Sequence, residues 1–420
     1  MSHSSDSSRT PATESYRAVL AIPYAAPTFG AALVGRLSYG LLPLSVLFSV
    51  QQSTGSFATA GGVVAAIGLT SILLPLKARL VDRHGQAQTL TPLALLCASA
   101  LAAIAVLAWS GPAPAAVYIL LGVLAGLGTP PLGPAMRSTW RTLTDGTQLR
   151  QRAYSLDSVC EESLYLIGPL LVAVILNVAS APAALLVTAS LMIVGTLAMV
   201  WMPPLRHVRS PESAAPLRFN LGPLLAPGFW PVVVAILVAA VGLSMAFTSI
   251  AARAQRQGLP AAAGYVEAAI ALGSVAGGLL WGRRRHTRSH STHLAGLIGV
   301  LGVGIALSAA ATSLTALGIV MAVTGLAIAP LFVVSYLAAD DLAPEHQQTE
   351  AGTWVNTANN IGSAAGASVA GLLIDRASIS AGFAVGGVAL ALTSVLIWLT
   401  RRASARRRLT RFGQRAAPTG

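Results

Sequence analysis

Twelve apolar stretches, separated by short polar gaps, occupy most of this 420-residue chain and restrict what it can fold into. Each is about 20 residues long, the length at which an α-helix crosses the hydrocarbon core of a bilayer. Lipid offers no hydrogen bonds to the backbone, so a spanning stretch must form a helix. Because 54% of the residues are hydrophobic and only 10% are charged, the chain also lacks the polar surface of a water-soluble protein. The expected fold is therefore all-α, a polytopic membrane protein with twelve transmembrane helices.

The 27 lysine and arginine residues fall almost entirely in alternate gaps between these stretches. If the termini and the even-numbered gaps share one side, the other side receives only Arg253, Arg256 and Arg376. Short cytoplasmic loops retain Lys and Arg, so the pattern predicts a multi-pass protein of the cell membrane with both termini cytoplasmic. The net charge of +13 is divided among short loops, which argues against a nucleic-acid partner. Anionic lipid of the inner leaflet is the expected partner of these charges.

A weak internal repeat divides the helices into two sets of six, in which residues 153–168 line up with 351–366. Paired repeats are typical of transporters that bind a small molecule between their halves, near the middle of the bilayer. The predicted organisation is a disordered cytoplasmic N-terminus (1–28), a six-helix half (29–202), a cytoplasmic linker (203–228), a second six-helix half (229–400) and a basic cytoplasmic tail (401–420). The expected oligomeric state is a monomer.

The gap between the second and third helices, Pro75–Gln86, reads PLKARLVDRHGQ. It resembles the signature loop of the major facilitator superfamily, Gly-x-Leu-x-Asp-Arg-x-Gly-Arg-Arg/Lys. Ala78 replaces the first glycine and Gln86 replaces the first closing basic residue, and the matching residues are Leu80, Asp82, Arg83 and Gly85. The resemblance covers about residues 29–400. It implies a secondary transporter that works by alternating access, with a small-molecule substrate.

Within that family the loop latches the two halves together in the outward-facing state. The resemblance therefore assigns a conformational-latch role to Ala78, Asp82, Arg83 and Gly85, with Asp82 facing the start of helix 11. A simple ion pair within the loop, between Asp82 and Arg83, is the alternative. Three further stretches are similar to those of uncharacterised actinobacterial members grouped with efflux proteins. These are Pro130–Trp140, Ala153–Glu162 and Glu350–Asn360.

Two departures from the family's drug/proton antiporters are visible. Of the glycine-rich motif that those proteins carry in helix 5, only Gly168 and Pro169 are present. Many of them also carry an arginine within helix 4. Here helix 4 is predicted as Ala115–Ala135, so Arg137 and Arg141 are expected beyond its end. Both departures weigh against the usual proton-antiport chemistry of the family.

A charge at the centre of a spanning helix costs about 2.5–3.5 kcal/mol on insertion scales, so a carboxylate there needs a partner, a water-filled cavity or a function. The carboxylates inside the predicted helices are therefore the candidates for proton coupling. Asp157 and Glu161 share a face of helix 5, Glu162 is adjacent, and Glu267 lies in helix 8. Close carboxylates in a low dielectric are what a proton-coupling site requires. The alternatives are structural. Asp157 would bind loop arginines, the two glutamates would support the contact between helices 5 and 8, and Glu267 would pair with an arginine just outside its helix.

Polar side chains on two other helices are candidates for the substrate cavity. Arg36 and Tyr39 lie three residues apart in helix 1, which lines the cavity in the family that the loop resembles. Arg36 would anchor an anionic group or pair with a carboxylate, and the alternative is that it extends toward the cytoplasm. Helix 11 contributes Asn356, Asn359 and Asn360. For these asparagines, hydrogen bonding between helices is the alternative.

Several classes of function are disfavoured by the sequence. His286, His290 and His293 stand among arginines that repel a cation, so no metal site is expected. The sequence contains no phosphate-binding loop and no nucleophile–base pair. Neither an enzyme nor a bound cofactor is therefore expected. The sequence therefore predicts a secondary transporter, most simply a proton-coupled exporter of a small amphiphilic molecule. The alternative is an importer or uniporter of a small anionic metabolite anchored by Arg36.

Overall fold

The computed structural model describes residues 16–111, 113–144, 147–203, 228–282, 288–342 and 348–415. Within these ranges the chain is helical and contains no β-strand. Ten of the described helices are long and apolar enough to cross a membrane, and Phe57–Leu73 forms a shorter apolar helical segment. The all-α polytopic fold expected from the sequence is confirmed.

In the described ranges, the main helices fall into two sets of six, one in each half, and are numbered here in chain order. The first half consists of helix 1 (Ala25–Thr54), helix 2 (Phe57–Leu69, Thr70–Leu73 and Leu74–His84), helix 3 (Gln86–Ser110), helix 4 (Ala115–Gly128 and Leu132–Leu143), helix 5 (Thr147–Val178) and helix 6 (Ala181–Val200). The second half consists of helix 7 (Phe229–Arg256), helix 8 (Ala261–Gly282), helix 9 (His290–Ser308), helix 10 (Leu314–Gly325 and Ile328–Leu342), helix 11 (Gln348–Arg376) and helix 12 (Ile379–Arg415).

Helical structure extends beyond the predicted limits at both chain ends. A short helix, Tyr16–Leu20, and the first turn of helix 1 lie within the segment 1–28 that was expected to be disordered. Val19 and Ala25 are buried in a cluster with Trp140, and this burial holds the segment in place. Helix 12 also continues through part of the expected tail, where arginine is a good helix former. Residues 1–15 and the linker 204–227 lie outside the described ranges.

Helix 4 is longer than predicted, and it is interrupted. Its first part, Ala115–Gly128, ends before two consecutive prolines, which have no N–H to continue the hydrogen-bond ladder. The helix resumes at Leu132 and runs to Leu143. Its buried side chains recur at helical spacing and include Leu132, Ala135, Met136 and Trp140. The prediction that helix 4 ends at Ala135 is therefore wrong, and Arg137 and Arg141 lie within it.

Helix 10 is interrupted at the place that corresponds to the break in helix 4. The repeat that aligns residues 153–168 with 351–366 also carries 129–131 onto 327–329. The two parts of helix 10 are separated at Leu326 and Ala327, beside that position. Broken helices at matching places in two halves are typical of the region where transporters bind substrate.

The two halves meet along two helix pairs, 2 with 11 and 5 with 8. Gly61 packs on the backbone of Ala367, and Gly264 packs on that of Pro169. Further along the second pair, Asn177 Nδ2 donates a hydrogen bond to Tyr265 Oη at 3.0 Å. These contacts lie at the start of helices 2 and 8 and at the end of helices 5 and 11. We define the basic face as the opposite one, where helices 2 and 3 are joined by the arginine-containing turn. In the described ranges, the contacts between these helix pairs therefore lie on the face opposite to the basic face.

Candidate functional site

Four charged side chains from three helices of the first half form one network. Arg36 of helix 1 donates from Nη1 to Asp157 Oδ1 of helix 5 at 2.7 Å. Its Nη2 lies 2.6 Å from Glu161 Oε2, one turn further along helix 5. Arg137, from the second part of helix 4, places Nη2 3.1 Å from Glu161 Oε2 and Nε 3.7 Å from Asp157 Oδ2. Two arginines thus face two carboxylates, and the four formal charges cancel.

The network extends from the protein interior to the solvent-accessible surface. The side chains of Arg36 and Asp157 are each 1% exposed, whereas Glu161 is 24% and Arg137 is 48% exposed. Among the described residues, no hydrogen bond satisfies Arg36 Nε or Asp157 Oδ2, although both atoms are buried. A buried polar network with unsatisfied members is sensitive to the loss of any one charge. Of the two carboxylates, Glu161 is the more accessible from outside the protein.

Close contact between helices 1 and 5 brings these charges together. Gly168 lies directly on the backbone of Gly40, and a side-chain carbon at either position would overlap the other helix. Arg36 is one turn from Gly40 on the same face, so it reaches helix 5 at Asp157. Gly168 is one of the two motif residues that the sequence retains in helix 5, and its role here is to permit this approach.

Two side chains from neighbouring helices bind the break in helix 4, which orients Arg137. The carbonyl of Gly126 lacks its i+4 donor, because Pro130 has no N–H, and it accepts from the N–H of Thr129 at 3.3 Å. Lys77 Nζ also donates to the carbonyls of Gly126, at 2.8 Å, and Thr129, at 3.1 Å. The hydroxyl of Tyr39 donates to the carbonyl of Pro130. Tyr39, a predicted cavity residue, thus uses its hydroxyl to support helix 4, and the role of Lys77 was not predicted.

The asparagines of helix 11 lie on the second half, away from the charge network. Asn356 is exposed, and its Oδ1 accepts a hydrogen bond from Tyr336 Oη of helix 10 at 2.7 Å. Asn359 and Asn360 are partly exposed one turn closer to the middle of the bilayer. In the described ranges no hydrogen bond joins these three side chains to the charge network. The Tyr336–Asn356 bond is an interhelical contact of the kind that the sequence allowed as the alternative.

Glu267 is separate from the charge network and from the arginines near its helix. Its side chain is partly exposed on helix 8, and no ion pair or hydrogen bond to it is found in the described part of the chain. Arg253 instead donates to the carbonyls of Ser308 and Ala311 and to Ser380 Oγ. It also lies over the ring of Phe383. The expected pairing of Glu267 with Arg253 is therefore wrong, because Arg253 joins helices 7, 9 and 12.

The predicted latch loop is described in part. Gly85 ends helix 2 with φ of 87°, a conformation that favours glycine, and Arg83 is exposed. Gln86 is buried and donates from Nε2 to the carbonyl of Ala135 at 3.1 Å and to Thr139 Oγ1 at 3.2 Å. The departure from a basic residue at this position thus ties helix 3 to helix 4. Three predicted site residues have side chains outside the described part of the structure. They are Ala78, Asp82 and Glu162.

Comparison with known families places this arrangement in context. The profile of the Major Facilitator Superfamily matches residues 28–296 and 264–419, which together span nearly the whole chain. The chain belongs to the Major Facilitator Superfamily. The family resemblance of the loop between helices 2 and 3 is confirmed, and this superfamily member is a membrane transporter rather than an enzyme. No curated protein sequence matches it.

Solved structures of superfamily transporters share the fold. A variant of the peptide transporter POT in complex with sulfate has a TM-score of 0.68 and 15% identity, covering 91% of this chain and 94% of its own. A variant of the nucleoside transporter NupG has a TM-score of 0.68 and 13% identity, covering 89% and 99%. The human organic anion transporter MFSD10 (TETRAN) has a TM-score of 0.55 and 17% identity, covering 91% and 99%. At these identities the similarity establishes the fold alone.

The superfamily member therefore combines a two-half transporter fold with a neutral cluster of four charges in its first half. The sequence predicts Arg36 on one helix and Asp157 and Glu161 on another as candidates, and the structure brings the three into direct contact. Arg137 is not among those candidates, because helix 4 is predicted to end at Ala135, before it. A signal for that part was present in the sequence, namely the three- and four-residue spacing of apolar side chains after the prolines.

Proposed function

We propose that this transporter exports a small amphiphilic molecule in exchange for protons, and that Glu161 carries the proton. The observation that supports the proposal is the charge network of Arg36, Arg137, Asp157 and Glu161 beside the cavity. Intramembrane ionisable residues that pair with one another are characteristic of proton pathways. Glu161 combines partial exposure with contacts to both arginines, so its charge state affects three helices at once.

Proton binding at Glu161 would change the balance of the network. With Glu161 ionised, helices 1 and 4 are both held to helix 5 by its carboxylate. Protonation removes that charge and leaves two guanidinium groups with Asp157 as their only described carboxylate partner, which weakens the attachment of helix 4. We assign the described state, in which the pairs are intact and the halves meet on the face opposite to the basic face, to the form that has released its proton, with a cavity open to the basic face. Substrate enters this form from the basic face.

The direction of transport follows from the side on which the basic face lies. Because Lys and Arg are retained in short cytoplasmic loops, we assign the basic face to the cytoplasm. A substrate captured there and exchanged for an incoming proton is exported. The presence of Arg137 within helix 4 also removes one of the two departures from the drug/proton antiporters that the sequence resembles.

The walls of the cavity favour an amphiphilic substrate. Tyr165 lies one turn beyond Glu161 on helix 5 and is 52% exposed. Opposite, Tyr336 and Asn356 contribute an aromatic ring and an amide, and Phe332 is a partly buried apolar neighbour one turn away on helix 10. Aromatic and apolar surface on one side and a charge cluster on the other suit a molecule with an apolar body and one polar or charged end.

The test is compound-dependent proton movement in proteoliposomes that contain an internal pH dye. A panel of amphiphilic cations, neutral amphiphiles and organic anions is added to wild type and to Glu161→Gln. We expect at least one compound to move protons with wild type and none to do so with Glu161→Gln. Asp341→Asn is the matched control, because Asp341 lies at the end of helix 10, 3.3 Å from His290 and outside the network. It should retain wild-type flux.

The outcomes separate the possible proton sites. Flux that persists in Glu161→Gln and disappears in Glu267→Gln would transfer the role to helix 8. An absence of proton movement with every compound, in protein that binds at least one of them, would overturn proton coupling. Glu162→Gln completes the set, since Glu162 neighbours Glu161 in sequence.

An importer or uniporter of a small anionic metabolite is the second candidate, and one observation favours it. Arg137 is half exposed and presents a guanidinium to the cavity. An anion would bind there rather than at Arg36, which is buried and already contacts two carboxylates. Uptake of a labelled organic anion that is lost in Arg137→Gln, without proton movement, would support this function over export.

A further inference from the structure

Asp375, near the end of helix 11, binds the start of helix 2 in the other half of the protein. Its Oδ2 accepts a hydrogen bond from Ser56 Oγ at 2.6 Å and from the backbone N–H of Ala58 at 2.9 Å. Its Oδ1 accepts from the N–H of Phe57 at 3.0 Å. Ser56 is itself the N-cap of helix 2, and its Oγ accepts from the N–H of Thr59 at 3.0 Å. One carboxylate thus accepts three hydrogen bonds from the other half of the protein.

The chemistry of this contact suits a strong but breakable attachment. The first N–H groups of a helix have no partner within the helix, and the N-terminal end carries a partial positive charge. A carboxylate that accepts from them forms charge-assisted hydrogen bonds, which are stronger than neutral ones. Asp375 is exposed at the rim of the protein, so water can replace these bonds when the halves separate.

The contact lies at the end of a tight seam between helices 2 and 11. Gly371, one turn before Asp375, packs on the backbone of Phe57 and Ala58, and Gly61 packs on Ala367. This seam closes the face opposite to the basic face. Because Ser56 and Asp375 belong to different halves, their hydrogen bond cannot survive a movement that opens this face.

The sequence carries a matching signal on both faces. Leu373–Arg376 reads LIDR, and Leu80–Arg83 at the other end of helix 2 reads LVDR. Each tetrapeptide ends one of the two helices that form the seam, and the two lie on opposite faces. Asp375 therefore occupies on helix 11 the place that Asp82 occupies on helix 2.

We propose that Asp375 is the latch of the state in which the cavity opens to the basic face. By capping helix 2 from the other half, it stabilises closure of the opposite face. Release of this cap accompanies opening of that face. The proposal concerns the conformational equilibrium and is independent of the substrate and of proton coupling.

The test measures the distance between the halves on the capped face. Spin labels are attached to Gln52→Cys at the end of helix 1 and to Ala377→Cys after helix 11, in a Cys97→Ala, Cys160→Ser background. Both labelled positions are exposed. Pulsed electron–electron double resonance then gives the populations of short and long distances between the two labels. We expect a dominant short distance in the parent protein. In Asp375→Asn the ratio of short to long distances should fall about tenfold, the effect of losing charge-assisted bonds to a helix start.

Two further variants keep the result interpretable. Ser56→Ala removes one donor, so it should shift the same ratio by a smaller factor, and it should add little in the Asp375→Asn background. Asp341→Asn, the same chemical change at an acid outside the seam, should leave the distribution unchanged. Wild-type distances in Asp375→Asn, or an equal shift in Asp341→Asn, would overturn the latch. If Asp375→Asn does not fold, an unchanged distribution in Ser56→Ala would overturn it as well.

Discussion

The guanidinium of Arg36 and the carboxylate of Asp157, 121 residues apart in sequence, meet at 2.7 Å inside the first half of the protein. Both side chains are almost fully removed from solvent. Burial of an ion pair costs desolvation energy on both sides, and the attraction offsets it only while both partners are present. Substitution of one member of the pair should therefore lower the stability of the protein strongly, and simultaneous substitution of both members should lower it little.

Removing one charge of this pair should destabilise the protein. Asp157→Asn leaves the buried Arg36 guanidinium with one carboxylate fewer, at a cost on the order of 3 kcal/mol. The double variant Arg36→Met, Asp157→Leu removes both charges and should recover much of the loss. Thermal unfolding in detergent micelles measures both. Arg256→Gln, at an exposed arginine, should unfold like wild type. Equal losses in the single and double variants would contradict the interpretation of a buried pair.

A side chain at Gly168 should separate helix 5 from helix 1. Gly168→Val would place methyl groups against the backbone of Gly40, and overpacking of this kind costs about 1–3 kcal/mol. The displacement would also move Asp157 away from Arg36, so transport should fall together with stability. Gly30→Ala is the matched control in helix 1, because nothing lies within 4 Å of a carbon added there. It should be neutral or stabilising.

Lys77 should stabilise the break in helix 4. Lys77→Met removes the hydrogen bonds from Nζ to the carbonyls of Gly126 and Thr129, at a cost of about 1–3 kcal/mol. Thermal unfolding in detergent micelles measures the loss. An unchanged Tm in Lys77→Met would show that these two bonds do not contribute to stability.

The hydroxyl of Tyr39 should contribute to the position of helix 4. Tyr39→Phe removes its hydrogen bond to the carbonyl of Pro130, at a cost of about 1 kcal/mol. Because Arg137 follows that break, the variant should also weaken proton-coupled transport without abolishing it. Tyr24→Phe, at an exposed tyrosine before helix 1, is the control and should leave stability and transport unchanged. A full loss of transport in Tyr39→Phe would instead indicate that the hydroxyl contacts substrate.

Much of the fold could be predicted from local patterns. Apolar length determined the number of helices, and the turn at Gly85 pointed to the family, because lipid and backbone geometry act on each segment separately. The same reasoning placed Asp157 and Glu161 on one helix face, since residues four apart in a helix are always neighbours. It failed at helix 4, whose end is predicted at Ala135, before Arg137 and Arg141, although the helix continues to Leu143 and brings Arg137 to the site.

Residue patterns alone indicate an all-helical membrane transporter with two related halves, and they place Arg36, Asp157 and Glu161 within its helices. The contacts between these charges, and the presence of Arg137 beside them, follow from the tertiary structure. The pairing of Arg36 with Asp157 depends on the close approach of Gly40 and Gly168, and the capping of helix 2 by Asp375 depends on which face of the cavity is closed. Both relationships join residues far apart in the chain. They depend on the packing of whole helices, which local residue patterns do not specify.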